Sequence, residues 1–195
     1  MFGRLHDVGI EALTATVARN RVPVEEVLRD LMSEKKAKRL TRGTGIEALS
    51  LAPPAICTSD LCYDSANRLL SVVDRGDIGA LIFISQTADY LSPATSYYLQ
   101  KRLDLSHDVL AFDVNLGCSG FCYGVFLAAT LLPALGGRNV LICCGDTSSR
   151  NVHPEDISMR SIAGDAGAAA VISPRQGHEI YFHIESFGEM ADDLL

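Results

Sequence analysis

Leu110-Ala111-Phe112-Asp113-Val114-Asn115-Leu116-Gly117-Cys118-Ser119-Gly120-Phe121 runs on into Cys122-Tyr123-Gly124-Val125-Phe126-Leu127-Ala128-Ala129-Thr130-Leu131-Leu132, and the fold is read outward from this stretch. Val109 to Val114 has the length and continuous apolar character of a strand buried on both faces. Asn115 to Gly117 breaks it, and a small-residue helix, apolar nearly all round, is expected to start near Cys118. A thiol at such a helix start faces unpaired backbone amides and the positive end of the helix dipole, which stabilise a thiolate. Glycines at 117 and 120 leave space for a backbone or a substrate. A free cysteine is also commonly a small buried hydrophobe, so position alone leaves both roles open for Cys118.

Strand-length apolar runs recur at Ala80 to Ile84, Val140 to Cys144, Ala168 to Ile172 and Ile180 to Ile184. Between the first of them and its neighbours lie helical periods. From Asp60, the side chains of Cys62, Ala66, Leu69, Leu70 and Val73 share one face, and Gly76 offers a stop. Ser92 followed by Pro93 predicts a helix start, running to about Leu103. Strands alternating with helices give an α/β class with a parallel or mixed sheet covered on both faces. Residues 20–43 break this rhythm. A helix near Val24 to Met32, ending in the basic run Lys35, Lys36, Lys38 and Arg39, reads as a surface insertion.

The chain has 195 residues, 48% apolar and 21% charged, enough for one substantial core. Its formal charge of -7 argues against a nucleic-acid partner, because a phosphate backbone is held by clustered cations. No apolar run approaches the roughly 20 residues of a membrane span, and no charged leader precedes an apolar segment, so a cytoplasmic protein is expected. The six cysteines sit mostly in apolar runs and read as reduced thiols. Their spacing lacks the two-residue knuckle of structural zinc sites, so no metal is expected.

The run Asp113-Val114-Asn115-Leu116-Gly117-Cys118-Ser119-Gly120-Phe121 resembles the nucleophile motif of ketoacyl-acyl-carrier-protein synthase III enzymes of the thiolase superfamily. Other segments resemble the family in order. These are Thr44-Gly45-Ile46, Thr58-Ser59-Asp60-Leu61, Ser85-Gln86-Thr87 with Ser92-Pro93-Ala94-Thr95, Gly145-Asp146-Thr147, and Gly164-Asp165-Ala166-Gly167-Ala168. The last glycines read as a tight turn with backbone packing rather than as catalytic residues. Phe187-Gly188-Glu189-Met190 resembles the end of the first thiolase half. The resemblance therefore implies an amino-terminal half spanning residues 1–195, a thiolase-like βαβαβαββ unit with a mixed sheet covered by helices, without the carboxyl-terminal half.

The same resemblance implies that Cys118 takes an acyl group as a thioester and that a malonyl thioester, after decarboxylation, condenses with it. No cofactor is expected to be bound permanently; acyl-CoA or acyl-carrier-protein thioester would be the substrate. Thr87 and Phe121 would border the acyl site, and Arg39 and Arg42 would meet the carrier. The chain has no tryptophan, and the family's coenzyme A contacts align with Arg39, Gly43 and Ile157, so coenzyme A and carrier protein both stay open. The basic cluster could meet a phosphate or an acidic carrier face, or be a solvated helix end. None of the histidines (6, 107, 153, 178, 183) stands in the family's His-Gln-Ala context, and the family's Gly-Asn-Thr is not found. A partner is therefore expected, either a homodimer copy or a chain supplying the second thiolase half. A non-catalytic subunit, or acyl transfer to an alcohol or amine, remains an alternative.

Overall fold

A computed structural model describes residues 1–190. In chain order the elements are β1 (Phe2–Val17), β2 (Arg21–Pro23), α1 (Val24–Val27), α2 (Glu34–Thr44), β3 (Ala48–Ser50), α3 (Thr58–Leu69), β4 (Ile78–Ile84), α4 (Thr95–Arg102), β5 (Leu110–Val114), α5 (Gly120–Leu131), β6 (Asn139–Thr147), α6 (Ile157–Arg160) and β7 (Asp165–His183). Five strands form one sheet in the order β1-β7-β6-β4-β5. β4 is parallel to β5 and β6, while β7 runs antiparallel to both β6 and β1. Leaving aside the excursion from β2 to β3 and the single-turn α6, the chain reads βαβαβαββ, the expected α/β unit with a mixed sheet.

Side-chain alternation divides the core in two. Leu81, Phe83, Leu141, Cys143, Ala169 and Val171 face α3 and α4, meeting Cys62, Ala66, Leu69, Leu99 and Leu103. Ala80, Ile82, Ile84, Val140, Ile142 and Ile172 face α5, meeting Val125, Ala128, Ala129 and Leu132. All seven residues of β4 are buried, which is why that strand shows no alternation in sequence.

Several boundaries differ from expectation for physical reasons. α4 begins at Thr95 rather than at Ser92, because its first amides are held by a carboxylate from β5 instead of a local hydroxyl. α3 ends at Leu69, short of Gly76. The helix expected over Val24 to Met32 is only Val24–Val27, and the basic run forms its own helix, α2, after a break at Ser33. Gly45 closes α2 in the left-handed region at φ 73°, where a side chain would be strained. This excursion has a small core of its own, formed by Val24, Leu28, Ala37 and Leu49. The two late strand runs are one strand, β7, paired along its length with β1. β1 lacks a continuous apolar run because it is an edge strand, half exposed in alternation.

Gly145 and Gly167 are packing devices. A Cβ at Gly167 would lie 2.5 Å from the Cys62 amide nitrogen and 2.6 Å from the Leu61 carbonyl carbon, so α3 lies directly on β7 there. Neither glycine has a left-handed φ. Backbone packing at Gly167 thus agrees with expectation, but Gly167 lies within β7 and only Gly164 stands before the strand.

Candidate active site

Strand register assembles one edge of the sheet. Ile84 pairs with both Val114 and Cys144, so the segments that follow, Ser85 to Thr87, Asn115 to Cys118 and Gly145 to Thr147, emerge side by side. Cys118 lies in the turn between β5 and α5, immediately before the N-cap residue Ser119, and is exposed. The turn is closed by Gly120 N–H donating to the Gly117 carbonyl at 2.8 Å. The helix thus starts two residues later than expected, which puts Cys118 at its mouth.

Close approach of α5 to the sheet fixes that mouth. A Cβ at Gly120 would lie 2.7 Å from Ile84 Cγ2, and one at Gly124 would lie 2.5 Å from Ile84 Cδ1. One turn apart, these glycines let the helix backbone settle onto β4. Phe121, between them, is half-buried against the α5 side of the core. Cys122 points outward and is exposed.

A second polar layer supports the edge. Asp146 Oδ1 accepts from Ser85 Oγ at 2.9 Å, Gln86 N at 2.8 Å, Thr87 N at 3.0 Å and Thr87 Oγ1 at 2.8 Å. Thr87 Oγ1 also accepts from Thr147 N at 2.9 Å and lies 2.9 Å from Thr58 Oγ1. The Thr87 hydroxyl is fully engaged within the protein, and its bonds hold the edge together. Asp146 and the Gln86 amide that donates to it carry no local signal of this role in the sequence. Only the parallel register, which brings three strand ends together, marks them.

The thiols fall into two classes. Burial pushes the Cys143 thiol up to about 12, and burial followed by the neighbouring Cys143 and Cys144 raises Cys62 well above the ordinary thiol value. Cys144, near the first turn of α5, is raised by burial and then by Asp146. All three are held in the thiol form at neutral pH.

Arg39 and Arg42 are exposed on α2, which packs on α1 and belongs to the separate small core. The same outer face carries Lys35 and Lys38, and Lys38 pairs with Glu34 one turn earlier. The resulting cationic stripe borders an open groove of about 560 Å³ lined by Glu34, Lys35, Lys38, Arg39 and Arg42. Of the histidines, His6 pairs with Glu179, His183 pairs with Glu185, and His153 Nδ1 accepts from the Glu155 amide. Among the described residues no helix is long and apolar enough to cross a membrane.

Comparison with known proteins places this geometry. Residues 112–188 match the family model described as 3-Oxoacyl-[acyl-carrier-protein (ACP)] synthase III. A Campylobacter jejuni protein described as a 3-oxoacyl-[acyl-carrier-protein] synthase 3 is 31% identical over 196 residues, covering 98% of this chain and 55% of the relative. A Rhodopirellula baltica beta-ketoacyl-[acyl-carrier-protein] synthase III is 34% identical over 158 residues, covering 80% of this chain and 45% of the relative. The crystal structure of a 3-oxoacyl-(acyl-carrier protein) synthase from Burkholderia xenovorans LB400 superposes with a TM-score of 0.93 at 29% identity, over 98% of this chain and 56% of that one. The chain spans about half the length of the curated relatives it matches.

Proposed function

The chain belongs to the 3-oxoacyl-[acyl-carrier-protein] synthase III family, and from that premise we propose that Cys118 is the nucleophile that accepts an acyl group from a thioester. The observation that carries this reading is the exposed position of Cys118 in the turn between the edge strand β5 and a glycine-seated helix. In the first step the Cys118 thiolate attacks the thioester carbonyl. A new C–S bond forms to Cys118, the C–S bond to the carrier breaks, and the carrier leaves as a thiol after taking up a proton. The backbone N–H of Cys118 is the natural donor to the oxyanion of the tetrahedral intermediate.

In the second step a malonyl thioester loses carbon dioxide, and its enolate carbon attacks the acyl group. A C–C bond forms as the bond to the Cys118 sulfur breaks. The histidine and asparagine that the family uses for this step are not in the matching contexts of this chain. In this reading they come from a second thiolase half, carried by a longer form of the protein or by a partner. By itself the chain stops at the acyl-enzyme. Phe121, next to the thiol, would border the acyl group. The cationic face of Lys35, Lys38, Arg39 and Arg42 would meet the phosphate or acidic surface of the incoming carrier, setting encounter rate more than affinity. Lys38→Glu with Arg39→Glu should slow loading from acyl carrier protein at low salt.

The test is covalent. Incubation with a short acyl thioester should add one acyl mass to the peptide containing Cys118, and Cys118→Ser should abolish it. Loading of Cys122 alone, or of neither thiol, would refute the proposal.

A further inference from the structure

Gly117, the residue before the thiol, has little room above it. A Cβ built there would lie 2.7 Å from Gln86 Cδ and 3.3 Å from Gln86 Nε2, and would collide outright with Oε1. The Gln86 side chain therefore occupies the space over the Gly117 backbone. Gln86 is itself exposed, so this contact does not follow from burial in the core. Its main chain is tied down from the other side, since its amide donates to Asp146 Oδ1 at 2.8 Å, as does the amide of Thr87 at 3.0 Å. A fixed loop thus presses a flexible side chain onto the one residue whose carbonyl closes the turn at Gly120.

We propose that Gln86 is a positioning residue for Cys118: anchored through its amide to Asp146, it caps Gly117 with its side chain and holds the Cys118 turn in the geometry that meets a thioester. This rests on the reading of Cys118 as nucleophile. Asp146 anchors the loop, Gln86 transmits the constraint, and Gly117 receives it. A thiol on an unbraced turn would sample orientations in which the sulfur misses the carbonyl, and small misplacements of a reacting atom are costly in rate.

The experiment compares the wild-type chain with Gln86→Ala and Gln86→Met. Two quantities are read: the rate of Cys118 acyl loading at saturating acetyl thioester, and hydrogen exchange at the Gly120 amide, which reports closure of the turn. Gln86→Ala should slow saturated loading by about tenfold, leave the half-saturating thioester concentration unchanged, and speed exchange at Gly120. Gln86→Met, which refills the space without an amide, should restore most of both. A Gln86→Ala variant with wild-type exchange at Gly120 overturns the proposal, and so does a Met variant as impaired as Ala. If the wild-type chain does not load at all, the nucleophile reading fails, and the exchange measurement still decides the bracing role.

Discussion

The Asp113 carboxylate on β5 spans the start of α4, with Oδ2 accepting from the Thr95 amide at 2.6 Å and Oδ1 from the Ser96 amide at 2.8 Å. The residue before the helix, Ala94, offers no side-chain cap, so a strand 18 residues away supplies what local sequence does not. Charge adds to the bonds, because a carboxylate at a helix start complements its dipole. Asp113→Ala should therefore cost about 1–2 kcal/mol, with thermal melting falling by roughly 2–8 °C. Asp113→Asn, which keeps one acceptor, should fall between. An unchanged melting temperature in the alanine variant would show that the cap does not matter.

Gly167→Ala should be worse. The added methyl would sit 2.5 Å from the Cys62 amide nitrogen and 2.7 Å from Leu61 Cβ, atoms of a helix clamped by its own core contacts. Neither backbone can yield without opening the α3 side of the core. A loss of about 1–3 kcal/mol is expected, read as a lower urea midpoint at constant slope. Gly43→Ala, with nothing near its Cβ position, should leave the midpoint within about 0.5 kcal/mol.

Thiol accessibility gives a pH prediction with a definite sign. Cys118 and Cys122 should alkylate rapidly in the native protein, and Cys62 and Cys143 only on unfolding. Burial raises the folded-state values of Cys62 and Cys143 above the ordinary value of 9.0, Cys143 to about 12. The folded chain therefore keeps protons that the unfolded chain releases. Stability from this source is complete below pH 9 and declines as pH rises from there, by about 1.4 kcal/mol per pH unit for each such thiol. Denaturant midpoints measured from pH 8 to 10.5 should fall, and Cys143→Ala should fall less steeply. A flat profile would contradict burial of these thiols.

How much of this could be read in the sequence follows from where each signal lives. β4 and most of β6 are buried and announce themselves as apolar runs, whereas β5, expected to be buried on both faces, is an edge strand whose residues are at most half-buried, so its apolar run marks a strand but not its burial; the turn at Gly117 and Cys118 is local chemistry. β1 is not legible, because an edge strand that buries only alternate residues, with register shifts at Asp7 and Glu11, lacks a clean run. The start of α4 was misplaced because its cap is not local. Thr87 has the residue type of a substrate contact but spends its hydroxyl on Asp146, Thr58 and Thr147, a fact of three-dimensional register. The approach of Gln86 to Gly117 is likewise a fact of register.

The uncovered strip beside α5 supplies the last prediction. Thr14 Oγ1 donates to the Ser65 carbonyl and Thr16 Oγ1 to Asp64, so the even positions of β1 there face α3. Leu13 and Val17 consequently point to the α5 side, where they are 56% and 59% exposed. α5 sits over β4 and β6, through Gly120 and Gly124 against Ile84 and Ile142, and shares its core with Val8 of β1 while leaving Leu13 and Val17 uncovered. Beside the strip, Phe121 and Leu127 on α5 are only half-buried. Apolar area of this kind favours association. A second thiolase half or a partner chain that supplies one would cover it, and the isolated chain should self-associate and bind an apolar dye. Leu13→Thr with Val17→Thr keeps strand propensity while removing apolar surface. This pair should lower dye fluorescence and shift sedimentation toward the monomer, with stability within about 1 kcal/mol of wild type. Undiminished dye binding would move the interface elsewhere on the molecule.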